Sequence, residues 1–172
     1  MQQLIVIFFC LLTANSISAQ TLKKYPISNS GCYAYFFCDP GPFTSEKSTD
    51  SSDMFTGECV TSEVTYGLIC VKMKDKLPDL KTSEETLIAY LDYLKTSLKI
   101  TTAAGYGKGH LLKNKESTRG VMDYWKDADG QSWKVKGWTD GRIIAVLYVC
   151  SKKEVPEAKA NVFLDGLLLP GI

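Results

Sequence analysis

The chain opens on an apolar run. Leu4–Leu12 (LIVIFFCLL) carries no polar residue, and the small and polar stretch TANSISA follows it to Ala19. A bilayer-spanning helix needs about 20 apolar residues, so this run is too short to span. A short apolar stretch followed by small residues reads as a secretory signal peptide over residues 1–19. Beyond it, apolar positions come in short blocks. Tyr33–Cys38 (YAYFFC) is aromatic and strand-like, and Asp39-Pro-Gly-Pro ends it. Ser45–Asp53 (SEKSTDSSD) is a polar loop, and Met54–Thr61 and Val64–Lys74 read as two strands.

The period then changes. Leu87, Leu91, Leu94 and Leu98 recur at offsets of four, three and four, which predicts a helix over about 82–100. Thr82 with Glu85 has the spacing of a capping box. Three strands are predicted after it, about Thr118–Lys126, Gln131–Thr139 and Arg142–Cys150. They are joined by a turn at Asp127–Gly130 and a two-residue hairpin turn at Asp140-Gly141. A last helix is predicted over about 156–167, with Pro156 at its first position and Ala160, Phe163, Leu164 and Leu167 on one side. The fold class is therefore α+β. An antiparallel β-sheet carries a long helix (about 82–100) and a short C-terminal helix (about 156–167), with residues 20–172 forming one domain.

Alternation assigns faces to the strands. A two-residue turn pairs Thr139 with Arg142 and Trp133 with Tyr148. One face then holds Met122, Tyr124, Trp133, Val135, Ile144, Val146 and Tyr148, uncharged and suited to a core. The other holds Asp123, Trp125, Lys134, Lys136, Trp138, Ile143, Ala145, Leu147 and Val149. Arg142–Cys150 is apolar on both faces, as a central strand is.

Charge and cysteine content narrow the class. A net charge of +1 does not suit a dedicated nucleic-acid binder. Past residue 19 the cysteines are Cys32, Cys38, Cys59, Cys70 and Cys150. Export places them in an oxidising compartment, and an odd count leaves one thiol over. Cys59 and Cys70 are the candidate disulfide, facing each other across the 54–74 hairpin. Cys32 and Cys38, if on one strand, stand roughly 20 Å apart. One histidine and no C-x-x-C spacing leave no metal site and call for no cofactor.

In Trp133–Leu169 (WKVKGWTDGRIIAVLYVCSKKEVPEAKANVFLDGLLL), and in the order of elements over about residues 50–169, the chain resembles the PsbP/DcrB-like domains. These are α/β/α sandwiches around an antiparallel sheet. The resemblance implies an extracytoplasmic or adaptor protein that binds or assembles rather than catalyses. The cysteine-bearing segment 31–70 departs from the family pattern.

Catalytic chemistry has few carriers here. A histidine-based site must use His110, which sits in the glycine-rich AAGYGKGHLLKNK without a G-x-S-x-G elsewhere. Gly105, Gly107 and Gly109 follow a helix rather than opening one, so they read as a turn, not a phosphate cradle. Cys70 and Cys150 lie in apolar strands, where cysteine acts as a small hydrophobe. No catalytic residue is assigned. The binding candidates are Trp125, Lys134, Lys136 and Trp138, aromatics beside cations on the second sheet face. The competing reading is a sheet covered on both faces, with lysine stems packed over the rings. Lys108, Lys113, Lys115 and Arg119 form a second basic run, of the kind that is usually a solvated face.

The expected function is that of an exported, non-enzymatic binding or accessory protein of the bacterial cell envelope, periplasmic or secreted. Its partner would be a protein or small ligand, with no nucleic acid and no transmembrane segment after the leader. Two alternatives are an immunity-like inhibitor of a toxin or hydrolase, and a small hydrolase or thiol enzyme using His110.

Overall fold

The computed structural model describes residues 21–171, so the signal-peptide reading of residues 1–19 lies outside the described residues. The order of elements is β1 (Lys23–Pro26), β2 (Tyr33–Phe36), β3 (Thr44–Lys47), β4 (Asp53–Thr61), β5 (Val64–Lys72), α1 (Leu80–Ser97), β6 (Ile100–Ala103) and β7 (Gly107–His110). It continues with β8 (Arg119–Asp127), β9 (Ser132–Thr139), β10 (Ile143–Ser151), α2 (Glu157–Leu164) and β11 (Leu167–Leu168). The main sheet has the strand order β3-β4-β5-β10-β9-β8-β6, and β7 also pairs with β8. A small sheet has the order β1-β2-β11. All the strand pairs are antiparallel. The chain is thus α+β, with both helices packed on the sheet.

The strand that is apolar on both faces takes the central place. β10 runs between β5 and β9, and all nine of its residues are buried. On one side of the sheet, α1 lays Leu87, Leu91 and Leu94 on Val121, Trp125, Val135, Ile144 and Val146. Gly137 lets the helix close in, since a Cβ there would sit 2.6 Å from Leu87 Cδ1. The other side is covered by α2 and the small sheet. Phe36, Phe163, Tyr66, Leu68, Leu147 and Trp138 share that core.

The two coverings are offset. Helix α1 packs on β8, β9 and β6, whereas α2 packs on β10 and β9. Each face therefore keeps a strip that no helix covers. On the α1 side the strip lies at β4, where Met54 and Thr56 are half-buried and Glu58 and Val60 are exposed. On the α2 side it lies at β8, where Met122 is half-buried and Tyr124 and Lys126 are exposed.

Four local expectations are corrected. Helix α1 begins two residues early because Asp79 is its N-cap, its carboxylate accepting from Thr82 N at 2.7 Å and Thr82 Oγ1 at 3.2 Å. It ends before Ile100 because Lys99 turns left-handed (φ 54°) and Ile100 pairs with Asp127 instead. Helix α2 stops at Leu164, with Pro156 as its N-cap, and Leu167 goes into the small sheet against Ala34. Within the expected polar loop, Thr44–Lys47 pairs with Asp53–Thr56 as an edge strand.

The disulfide joins Cys38 to Cys59, with Cα atoms 5.8 Å apart, and not Cys59 to Cys70. The β4–β5 hairpin explains why. Its register sets Cys59 opposite Tyr66 and Cys70 opposite Phe55. Cys70 is four residues from Cys59's partner, or about 13 Å at 3.3 Å per residue. Cys38 lies beyond the end of β2, so no single strand holds it away from its partner. Cys32, Cys70 and Cys150 are free and buried.

Candidate functional site

The four residues expected to form one binding face are split between the two faces. Trp125 pairs with Trp133 and Tyr124 with Lys134, so β8 is turned over relative to the expectation. The connection from β8 to β9 has five residues, Asp127–Gln131, because Lys126 pairs with Ser132. A five-residue connection reverses the face that a four-residue one gives, since side chains alternate. Asp127 holds this loop, accepting from Asp129 N, Gln131 N and Trp133 Nε1 at 2.9 Å each. The β9–β10 register is also shifted. Thr139 pairs with Ile144, because Asp140 Oδ1 accepts from Arg142 N at 2.9 Å and Ile143 N at 2.8 Å. This shift is of two residues, so the faces of β9 and β10 stay as expected.

All four residues are buried, with relative exposures of 1–8%. Lys134 pairs with Glu157 at the start of α2, and Lys136 Nζ lies 2.7 Å from Asp165 Oδ1 at its end. Trp138 Nε1 donates to Leu164 O at 2.8 Å. Lys136 Nζ stands 4.5 Å from the Trp138 ring centroid. These three residues fasten α2 to the sheet. Burial works against the Lys134 ammonium, but the Glu157 carboxylate and the Tyr124 hydroxyl outweigh it and hold its pKa above the ordinary lysine value.

Trp125 belongs to a network under α1. Its Nε1 donates to Asp123 Oδ2 at 2.7 Å, and Lys95 Nζ lies 3.0 Å from the same oxygen. Asp123 Oδ1 accepts from Gly105 N at 3.0 Å, while Lys95 also donates to Tyr106 Oη at 2.8 Å. The glycine-rich segment thus wraps back onto this buried carboxylate. His110 ends β7, half-buried, with Lys136 and Asp165 as its charged neighbours. Cys70 and Cys150 are poorly placed for nucleophilic work. Burial pushes Cys150 up to about 11, and Cys70 is held well above its ordinary value by Cys32 and by burial. A thiol enzyme needs the thiolate.

A different constellation stands open. On the α2 side, beyond the edge of α2, a groove of about 420 Å³ runs over β6, β8 and β9. Thr102, Ala104, Tyr124, Glu154, Val155 and Glu157 are among the residues that line it. Tyr124 is 42% exposed, and Lys134 Nζ stands 5.2 Å from its ring centroid. Of the four expected residues, Trp125 and Lys134 border the groove, while Lys136 and Trp138 lie further along β9. No family model matches the chain, and no curated protein matches it. Function therefore has to be read from the site.

The groove joins an aromatic ring, a lysine–glutamate pair and the backbone of a sheet edge. β6 ends the main sheet, and Thr101, Thr102 and Ala103 are exposed. An edge strand offers a row of unpaired N–H and C=O groups to an added strand. Tyr124 and Glu157 are the residues that sequence reasoning missed. A four-residue connection would put Tyr124 on the core face, and Glu157 is brought in only by the docking of α2. A signal for Tyr124 was present in Asp127, whose side chain can close a longer turn on its own backbone.

Proposed function

We propose that this chain is an exported, non-enzymatic binding protein of the bacterial cell envelope. It takes an extended segment of a partner protein along β6 and lays a side chain of that segment on Tyr124. The observation that carries the reading is the open groove over β6, β8 and β9, with a half-exposed tyrosine on the strip of the sheet that α2 leaves uncovered. Tyrosine supplies a large contact area at little cost in side-chain entropy and is frequent in binding hot spots. Main-chain pairing supplies affinity, and pockets for alternate side chains supply specificity.

Export is supported by the leader-like residues 1–19 and by the Cys38–Cys59 bridge, since disulfides persist in oxidising compartments. Among the described residues no helix is long and apolar enough to cross a membrane. The near-zero net charge favours local recognition over steering by bulk charge. The resemblance to the PsbP/DcrB-like domains implies the same kind of work, binding or assembly. In the test, a benzoylphenylalanine photocrosslinker replaces Tyr124, and separately Val60 on the opposite strip, in cells that produce the protein. A discrete adduct from position 124 and none from position 60 is the expected result. Equal adducts from both positions, or none from 124, contradict the reading.

A further inference from the structure

We propose that Cys32 and Cys70 form a second disulfide, closed while the chain folds, that ties the turn before β2 to strand β5, the neighbour of β10. The two residues belong to one core cluster and are 1% and 0% exposed. Their placement is fixed by contacts other than their own. Lys72 Nζ, two residues along β5 from Cys70, donates to Asn29 O at 3.4 Å. Cys32 N donates to Ser30 Oγ at 3.0 Å, and the Ile27–Cys32 turn closes through Ile27 N donating to Cys32 O at 2.9 Å. Each thiol acts on the other's titration, and Ser30 acts on both, so the two sulfurs are neighbours in the core. Cys70 holds the Cys32 thiol below its ordinary value, and Cys32 together with burial holds Cys70 well above it. Because exchange precedes the burial of both sulfurs, either thiol can attack first, and the step is written for Cys32.

The oxidant is a disulfide, of the class of glutathione disulfide. The Cys32 thiolate attacks one sulfur of it and displaces the first reduced thiol. Cys70, losing its proton, then attacks the Cys32 sulfur of the mixed disulfide and displaces the second. One protein S–S bond forms, one oxidant S–S bond breaks, and the two protons leave on the two released thiols. Neither sulfur is open to an oxidant in the folded protein, so exchange takes place before the turn at Ile27–Cys32 settles on β5. Of the five cysteines beyond residue 19, the bridge leaves Cys150 alone as a thiol, which accounts for the odd count.

The pairing is tested apart from export by refolding the reduced full chain with reduced and oxidised glutathione. The product is denatured, alkylated and digested with chymotrypsin and a glutamate-specific protease. These cut between Cys32 and Cys38 (at Tyr33–Phe37) and between Cys59 and Cys70 (at Glu63 and Tyr66), so each bridge is read separately. The expected result is a peptide joining Cys32 to Cys70 beside one joining Cys38 to Cys59, with alkylation at Cys10 and Cys150. Full alkylation of Cys32 and Cys70, or a bridge from either to Cys150, overturns the proposal. In C32S the expected change is complete alkylation of Cys70 with the Cys38–Cys59 peptide retained. Should C32S fail to fold, the wild-type digest decides alone.

Discussion

Asp123 shows how much one side chain carries. It is 1% exposed, yet it accepts from Trp125 Nε1, Gly105 N and Tyr124 N and faces Lys95 Nζ. Removing one partner of such a set leaves buried donors without acceptors. D123A is expected to lose about 3 kcal/mol of unfolding free energy in urea. A loss below about 1 kcal/mol contradicts the network. His110 gives a pH signature. Burial, then the Lys136 charge, hold its imidazole below the ordinary 6.5, with Asp165 opposing. The unfolded chain therefore takes up the proton first as pH falls. The histidine's contribution is intact above about pH 6.5 and shrinks as pH drops towards the folded-state value. H110Q is expected to flatten the fall in stability between about pH 7 and pH 5. An unchanged slope contradicts that origin. At this scale the sequence could be read for type but not for place. Trp125 and Trp138 stood out as large aromatics, but their burial follows from α1 and α2, whose docking is not a local property.

Elements were more legible than their ends. The leucine stripe of α1 and the two-faced apolar run of β10 follow from periodicity, and both are found as expected. Their boundaries depend on single side chains that compete for the same amides. Asp79, not Thr82, caps α1, and Thr82 serves as donor to it. D79A is expected to cost about 1 kcal/mol, whereas E85A, whose pairing with Lys81 at 4.0 Å is exposed, should change stability by less than about 0.5 kcal/mol. Equal costs for the two variants would restore the Thr82–Glu85 box. Strand faces were legible where connections shifted register by an even number, as at β9–β10. They were lost at β8, where an odd connection turned Tyr124 outward. That one residue of loop length separates the expected site from the observed groove.

At the scale of the whole molecule, long-range contacts decide. The Cys38–Cys59 bridge links the end of β2 in the small sheet to β4 in the large one across 21 residues of sequence. Loop-closure entropy gives such a bridge about 3 kcal/mol. C38S is expected to lose about that much in urea unfolding, and an unchanged midpoint contradicts it. The offset of α1 against α2 and the small sheet is also a whole-molecule property. It leaves uncovered the strip on which the proposed function rests. The most direct measurement is amide hydrogen exchange on the complex with the partner captured through position 124. The account predicts added protection at residues 100–104 of β6 and none at residues 44–47 of β3, the opposite edge of the sheet. Protection at β3 instead, or no change at β6, would contradict it.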